Sequence, residues 1–141
     1  MGSTLRALFL VRKGVMGGLA EDSAGRDPLA LFSRWFEDAS RSGILLPESV
    51  TLSTATPEGR PSARLVLLKS FGEDGFVFFT NYESRKAREL EANPQAALTA
   101  FWPVLQRQVR IEGTVSRTSQ AESEAYFRTR ARGSQLGAWA S

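Results

Sequence analysis

The 141-residue sequence predicts a mainly β protein of the α+β class, folded as an antiparallel barrel with short helices. About five short apolar strands follow one another along the chain, as in small barrels. Tight turns that contain Gly or Pro connect several of them, and only brief helices lie between. Strands separated by long helices would instead indicate a parallel sheet.

Residues 1–26 combine the apolar patch Ala7–Val11 with several glycines and the polar run Glu21–Arg26. This composition predicts a mobile arm with room for one helical turn. The folded domain is therefore expected to span residues 27–141.

A first helix is predicted to begin after Asp27, which can cap it, with Pro28 as its first residue. Gly43 is expected to end the helix. Apolar residues recur at helical spacing between these signals, at Phe32, Trp35, Phe36 and Ala39.

The strands are predicted from apolar alternation and β-branched runs that are bounded by turns at Pro57–Gly59 and Gly72–Gly75. They are expected at 50–54, Ala63–Lys69, Phe76–Thr80, Ala96–Trp102 and Arg107–Ser116. A short helix is predicted over Ser84–Ala92, and a capping box at Ser119–Glu122 predicts a last helix that runs to about Arg130.

Composition excludes several kinds of chemistry. The chain has neither Cys nor His, so disulfides, thiolate or imidazole metal sites and nucleophilic mechanisms that depend on these residues are ruled out. A net charge of +3 suits a phosphorylated small molecule as well as nucleic acid. The apolar stretches are far shorter than a membrane span, and we expect a cytoplasmic protein.

Arg64 and Lys69 bracket an apolar strand and are candidates for ligand binding. On spacing alone, a core strand with charged ends is favoured. Residues five apart on a regular strand point to opposite faces, so both could reach one ligand only through a bend or past the strand end.

Thr80, Arg85 and Lys86 lie where a strand runs into the predicted helix at Ser84. Free amides at a helix N-terminus, beside two cations, are suited to a phosphate dianion. The alternative is a solvated helix in which Glu89 and Glu91 pair with these cations.

Two further groups of residues carry possible binding roles. Gln108 lies on an alternating strand and has the paired donor and acceptor that a flavin or pyrimidine edge needs, although such alternation usually indicates a half-solvated strand.

Tyr126 and Arg130 share a face of the last predicted helix, followed by Ser134, and could bind a second phosphate. A surface stack of the aromatic ring on the guanidinium is the more frequent explanation.

In this order, the motifs resemble the pyridoxine/pyridoxamine 5′-phosphate oxidases. The quoted residues are Asp27-Pro28-Leu29, Arg64 with Leu67-Leu68-Lys69, Thr80-Asn81, Ser84-Arg85-Lys86-Ala87, Asn93-Pro94, Arg107-Gln108-Val109, Tyr126-Phe127 with Arg130, and Ser134–Trp139. The resemblance implies an antiparallel FMN-binding split β-barrel and a homodimer with FMN between subunits.

The resemblance also implies which side chains bind ligands. The expected FMN contacts are Arg64, Leu65, Val66, Leu67, Leu68, Lys69, Phe79, Thr80, Arg85, Lys86 and Gln108. The expected contacts to the phosphorylated pyridine substrate are Lys69, Tyr126, Arg130 and Ser134. Relatives continue past Ser141 into strands with further residues that face FMN and substrate.

The implied reaction is oxidation of pyridoxine or pyridoxamine 5′-phosphate to pyridoxal 5′-phosphate, with O₂ as acceptor, in pyridoxine biosynthesis. The cofactor performs the redox chemistry and no catalytic protein nucleophile or metal is expected. The alternatives are a flavin- or pyridoxal-phosphate-binding module without turnover and a relative that oxidises another reduced ring, such as a phenazine precursor. Nucleic-acid binding ranks lowest, because the cations flank apolar strands.

Overall fold

A computed structural model of the chain describes residues 2–12 and 25–119. Within these ranges the strands are β1 (Gly2–Arg12), β2 (Ser49–Ala55), β3 (Pro61–Gly72), β4 (Gly75–Phe79), β5 (Gln95–Trp102) and β6 (Arg107–Arg117). The helices are α1 (Pro28–Arg41) and α2 (Arg85–Ala92), and one 3-10 turn spans Pro103–Leu105. No helix in this part of the chain is both long and apolar enough to cross a membrane.

The strands form a closed antiparallel barrel in the order β1-β4-β3-β2-β5-β6, with β6 paired to β1. Inward side chains alternate with outward ones, as in the buried Val50, Leu52 and Thr54 of β2. The antiparallel barrel predicted from the sequence is confirmed, and so are strands β2 to β6 within a few residues of their predicted ends.

Helix α1 forms where the sequence predicts it. The Asp27 carboxylate accepts hydrogen bonds from the amides of Leu29 at 2.9 Å and Ala30 at 3.3 Å, which caps the first turn. Gly43 has a φ of +82°, a left-handed conformation that ends the helix and favours glycine.

An aromatic cluster attaches α1 to the barrel. The Phe32 ring is fully buried, and its centroid lies 4.7 Å from that of Phe71, 5.1 Å from that of Phe76 and 5.8 Å from that of Trp102. These partners belong to β3, β4 and β5. The Trp102 indole also donates a hydrogen bond of 3.0 Å to the Pro47 carbonyl, which anchors the segment between α1 and β2.

A tight hairpin joins β2 to β3 and fixes their register. The Gly59 amide donates to the Thr56 carbonyl and the Thr56 amide to the Arg60 carbonyl, both at 2.9 Å, and Gly59 has a φ of +88°. The resulting register places Thr54 opposite Ser62. The predicted turn at Pro57–Gly59 is thus confirmed.

The N-terminal strand differs from the prediction. Where the sequence predicts an arm with room for a helical turn, Gly2–Arg12 forms a strand that pairs with β6 from Ser3↔Arg117 to Arg12↔Gln108 and with β4 over Gly2–Leu5. Pairing in this way satisfies the backbone groups that β4 and β6 would otherwise leave unpaired at two open edges. Residues 13–24 lie outside the described residues.

Replacement of Phe32 by alanine tests the aromatic cluster. Because its ring is fully buried among three strands, we expect F32A to lower the free energy of unfolding by about 3–5 kcal/mol. Urea denaturation measures this change. L45A is the control, since Leu45 is 88% exposed, and it should change stability by less than about 0.5 kcal/mol. Equal effects of the two variants would contradict this packing.

Candidate functional site

Helix α2 begins just after strand β4 with a capped and basic first turn. The Ser84 hydroxyl accepts a hydrogen bond from the Ala87 amide at 3.3 Å and donates one to the Asn81 carbonyl at 2.6 Å. Arg85 and Lys86 are the first helical residues, and no acidic residue lies in this turn. Free backbone amides and two cations therefore occur together at one helix end, which favours an anion there.

Glu89 lies one turn further along α2, at the centre of a hydrogen-bond network, and is only 8% exposed. Its Oε2 accepts from the Thr54 hydroxyl at 2.5 Å and the Ser62 hydroxyl at 2.6 Å. Its Oε1 accepts from Arg85 Nε at 2.6 Å, and Arg64 Nη2 lies 3.5 Å from Oε2. One carboxylate thus connects α2 to both strands of the β2–β3 hairpin.

The same two hydroxyls bind the Arg64 guanidinium. Arg64 Nη1 donates to Thr54 Oγ1 at 2.8 Å and to the Leu52 carbonyl at 3.3 Å, and Nη2 donates to Ser62 Oγ at 2.6 Å. Each hydroxyl has a single hydrogen, which it gives to Glu89, so its lone pairs are left for Arg64. The hydrogen bonds of the network are therefore all donated in one direction, from the guanidinium to the hydroxyls and from the hydroxyls to the carboxylate.

These bonds lower the pKa of Glu89 from its ordinary value of 4.5 to about 2. The hydrogen bond from Ser62 is the largest cause and that from Thr54 the next, while burial acts in the opposite direction and Arg85 adds a further lowering. Glu89 is therefore a carboxylate at neutral pH.

Lys86 lies near the network and is half-buried. Burial is the larger cause that lowers its pKa from 10.5, and repulsion from the Arg64 guanidinium is the second. The two cations therefore lie close enough to disfavour each other's charge, and a bound anion would relieve this repulsion. Arg64, Arg85 and Lys86 are called the cation cluster below.

Strand β3 presents the other predicted cofactor contacts on two faces. The side chains of Val66 and Leu68 point into the core and are each 7% exposed, so only their backbone could reach a ligand. Leu65 and Leu67 point outward and are 71% and 39% exposed. The register shifts between Leu68 and Ser70, which places a β-bulge at Lys69. This is the bend that a shared ligand of Arg64 and Lys69 would need.

The remaining predicted residues do not all lie near the cation cluster of the same chain. Thr80 is 3% exposed, follows Phe79 at the end of β4, and lines a cleft of about 240 Å³ beside α2. Gln108 lies on β6, on the outward-facing side of the sheet, whereas Arg64 shares the inward side of β3 with the core residues. Tyr126, Arg130, Ser134 and the predicted last helix lie outside the described residues and stay predictions.

Three residues of the network were missed by the sequence reading. The sequence places Thr54 at the end of a predicted strand, leaves Ser62 without a predicted element or role, and suggests Glu89 only as a solvated partner of the helix cations. Polar residues at inward positions of apolar strands were the available signal, together with the spacing of four between Arg85 and Glu89.

Residues 36–141 match the family described as pyridoxamine 5′-phosphate oxidase. The pyridoxine/pyridoxamine 5′-phosphate oxidase of Rubrobacter xylanophilus is 62% identical over 132 residues, which cover 94% of this chain and 61% of that protein. The protein of the same name from Psychromonas ingrahamii is 55% identical over 99% of this chain and 64% of its own length. The chain thus spans slightly more than three-fifths of these two relatives.

Two solved structures share the fold. PhzG from Burkholderia lata 383, in complex with tetrahydrophenazine-1-carboxylic acid, aligns with a TM-score of 0.81 and 28% identity over 91% of this chain and 64% of that one. A pyridoxamine 5′-phosphate oxidase-related, FMN-binding protein from Nostoc punctiforme aligns with a TM-score of 0.67 over 80% of this chain and 64% of that one. The latter is 23% identical, so it supports the fold alone.

The barrel topology and the basic start of α2 define a protein of the split-barrel class. Because the family model matches residues 36–141 and the Rubrobacter protein is 62% identical, the chain belongs to the pyridoxamine 5′-phosphate oxidase family. The resemblance predicted from the sequence motifs is confirmed.

Substitution of Glu89 by glutamine should alter how stability depends on pH. A carboxyl whose folded-state pKa is lowered stabilises the fold above its unfolded pKa of 4.5, and this contribution is lost as pH falls toward 2. Wild type should therefore lose more unfolding free energy than E89Q between pH 5 and pH 2, measured by urea denaturation across the range. E58Q, in the exposed hairpin turn, should follow wild type. Parallel curves for wild type and E89Q would contradict the shift.

Proposed function

We propose that the chain binds FMN through the cation cluster and takes part in the oxidation of pyridoxine or pyridoxamine 5′-phosphate to pyridoxal 5′-phosphate, with O₂ as acceptor. The observation that supports this most directly is a helix N-terminus without acidic residues, where Arg85 and Lys86 are the first helical residues and Glu89 joins Arg85 to Arg64 of β3. Membership of the pyridoxamine 5′-phosphate oxidase family supports the flavin and the substrate class.

The charge of the site fits the phosphate of FMN. The cluster contributes three cations and Glu89 one anion, which leaves two positive charges for a phosphate that carries nearly two negative ones at neutral pH. The Arg85 side chain is 64% exposed and uses its Nε for Glu89, so its Nη groups are available to a phosphate from solvent.

FMN, when bound, would supply the hydride acceptor and the route to O₂. The chain itself would bind, orient and shield the cofactor. Arg64, Arg85 and Lys86 would bind the cofactor phosphate, and the β-bulge would let Lys69 face the ring side of the same ligand. Tyr126, Arg130 and Ser134 are proposed to bind the substrate phosphate.

A homodimer is part of the proposal. The outward side of the sheet exposes Leu65, Leu67 and Phe101, the last of which is 58% exposed, and such an apolar surface is typical of a protein interface. Gln108 projects from the same outward side, away from the cation cluster of its own chain. Two subunits could therefore combine the cluster of one with the Gln108 of the other around one FMN.

A second candidate is oxidation of another reduced ring, and the structural likeness to PhzG favours it. A binding module without turnover is the third, in which the cation cluster would bind the flavin phosphate without oxidation of a substrate. Assays of flavin binding and of product formation distinguish all three.

The proposed activity predicts that the FMN-loaded chain, given pyridoxine 5′-phosphate and O₂, forms aldehyde and H₂O₂.

FMN binding is measured by quenching of flavin fluorescence. R85A should weaken it about tenfold or more, because a charge-assisted hydrogen bond to phosphate is lost. R41A is the control, since Arg41 lies on the exposed side of α1 and pairs with Glu37.

Flavin binding without product would favour the binding module, and product from a reduced tricyclic ring alone would favour the second candidate. An R85A variant that binds FMN as tightly as wild type would contradict the assigned phosphate site.

The proposed dimer predicts that L65E shifts the chain from dimer to monomer in sedimentation velocity. A charge at this position would be desolvated in the apolar interface without a partner. L45E is the control, because Leu45 is also highly exposed but lies in the segment between α1 and β2. A monomeric wild type, or dissociation by both variants alike, would contradict the interface.

A further inference from the structure

We infer that Glu89 is the positioning residue of the phosphate site, and that it sets the geometry and net charge with which Arg64 and Arg85 receive the FMN phosphate. This inference rests on the proposed binding of FMN. It assigns a role to a carboxylate that lies beside an anion site, where electrostatics alone would disfavour it.

The Glu89 carboxylate has hydrogen-bond donors at both of its oxygens. A buried charge is costly unless it is paired and hydrogen-bonded. Glu89 meets this condition through Thr54, Ser62 and Arg85, with Arg64 Nη2 at 3.5 Å. Its lowered pKa agrees with this, since the surrounding donors favour the ionised form.

The two arginines that contact Glu89 come from different elements of the fold. Arg64 belongs to β3 and Arg85 to α2, and Glu89 contacts both side chains. Arginine side chains have many rotamers, so fixing two of them before a ligand arrives reduces the entropy lost on binding. Glu89 thus acts on the phosphate through the arginines.

The contact with Glu89 leaves part of the Arg85 guanidinium available to a ligand. Glu89 takes the Nε of Arg85 and leaves both Nη groups of a side chain that is 64% exposed. The planar guanidinium then has a fixed orientation, and its remaining donors suit two phosphate oxygens.

Replacement of Glu89 by glutamine removes the charge and nearly preserves the shape of the side chain. Its carbonyl oxygen can still accept from the two hydroxyls, but its amide group is a donor and would face the donor Nε of Arg85. E89Q should therefore release Arg85 with little change in side-chain volume.

The test compares FMN with riboflavin, which has the same ring system but no phosphate. E89Q should weaken FMN binding tenfold or more and leave riboflavin binding within twofold of wild type, measured by flavin fluorescence. E58Q removes the same charge from the exposed hairpin turn and should change neither affinity. An FMN-to-riboflavin affinity ratio in E89Q equal to that of wild type would overturn the inference.

A second readout does not need the flavin. In the free chain, the Arg85 Nε–H resonance should exchange slowly with water in wild type and fast in E89Q, and inorganic phosphate should perturb it more in wild type. Unchanged Arg85 exchange in E89Q would overturn the positioning role. Failure of wild type to bind FMN, with this resonance behaving as expected, would overturn only the proposed function.

If E89Q does not fold, S62A gives the same information. It removes the largest cause of the lowered Glu89 pKa and one Arg64 contact. A threefold or greater loss in FMN binding without loss in riboflavin binding would support the inference, and equal loss for both flavins would refute it.

Discussion

The Glu89 carboxylate connects helix α2 to the β2–β3 hairpin, and the geometry of the candidate site depends on that connection. The hairpin places Thr54 opposite Ser62, so that two hydroxyls point at one carboxylate and one guanidinium. The helix contributes Glu89 and Arg85 one turn apart. Without the hairpin register, the carboxylate would lack its two closest hydroxyl donors. Without the carboxylate, three cations would remain with no nearby counter-charge in the network.

The barrel divides the predicted binding residues between its two sides. Inward positions of β3 lead from the core to Arg64, whereas outward positions expose Leu65 and Leu67. Gln108 lies on the outward side of β6. The proposed two-subunit site rests on this division, because Arg64 and Gln108 project from opposite sides of the sheet. The β-bulge at Lys69 is the local exception, because one extra residue changes the direction of the strand.

Local signals predicted most of the fold. Asp27 and Gly43 bounded α1, Gly59 marked the hairpin, and strand alternation located β2 to β6. Strand β1 was missed because its pairing with β6 joins residues about a hundred positions apart, which local composition does not reveal. The same limit applies to the site. The motifs make Arg64, Arg85 and Lys86 candidates, but the burial of Glu89 depends on Thr54, 35 residues earlier in the chain.

A crystal structure of this chain with FMN would show where the cofactor phosphate lies. We expect Arg64, Arg85 and Lys86 to bind the phosphate, with Glu89 still accepting from Arg85 Nε and from the two hydroxyls. A phosphate bound away from this cluster, or an Arg85 that has left Glu89 to reach the phosphate, would contradict it.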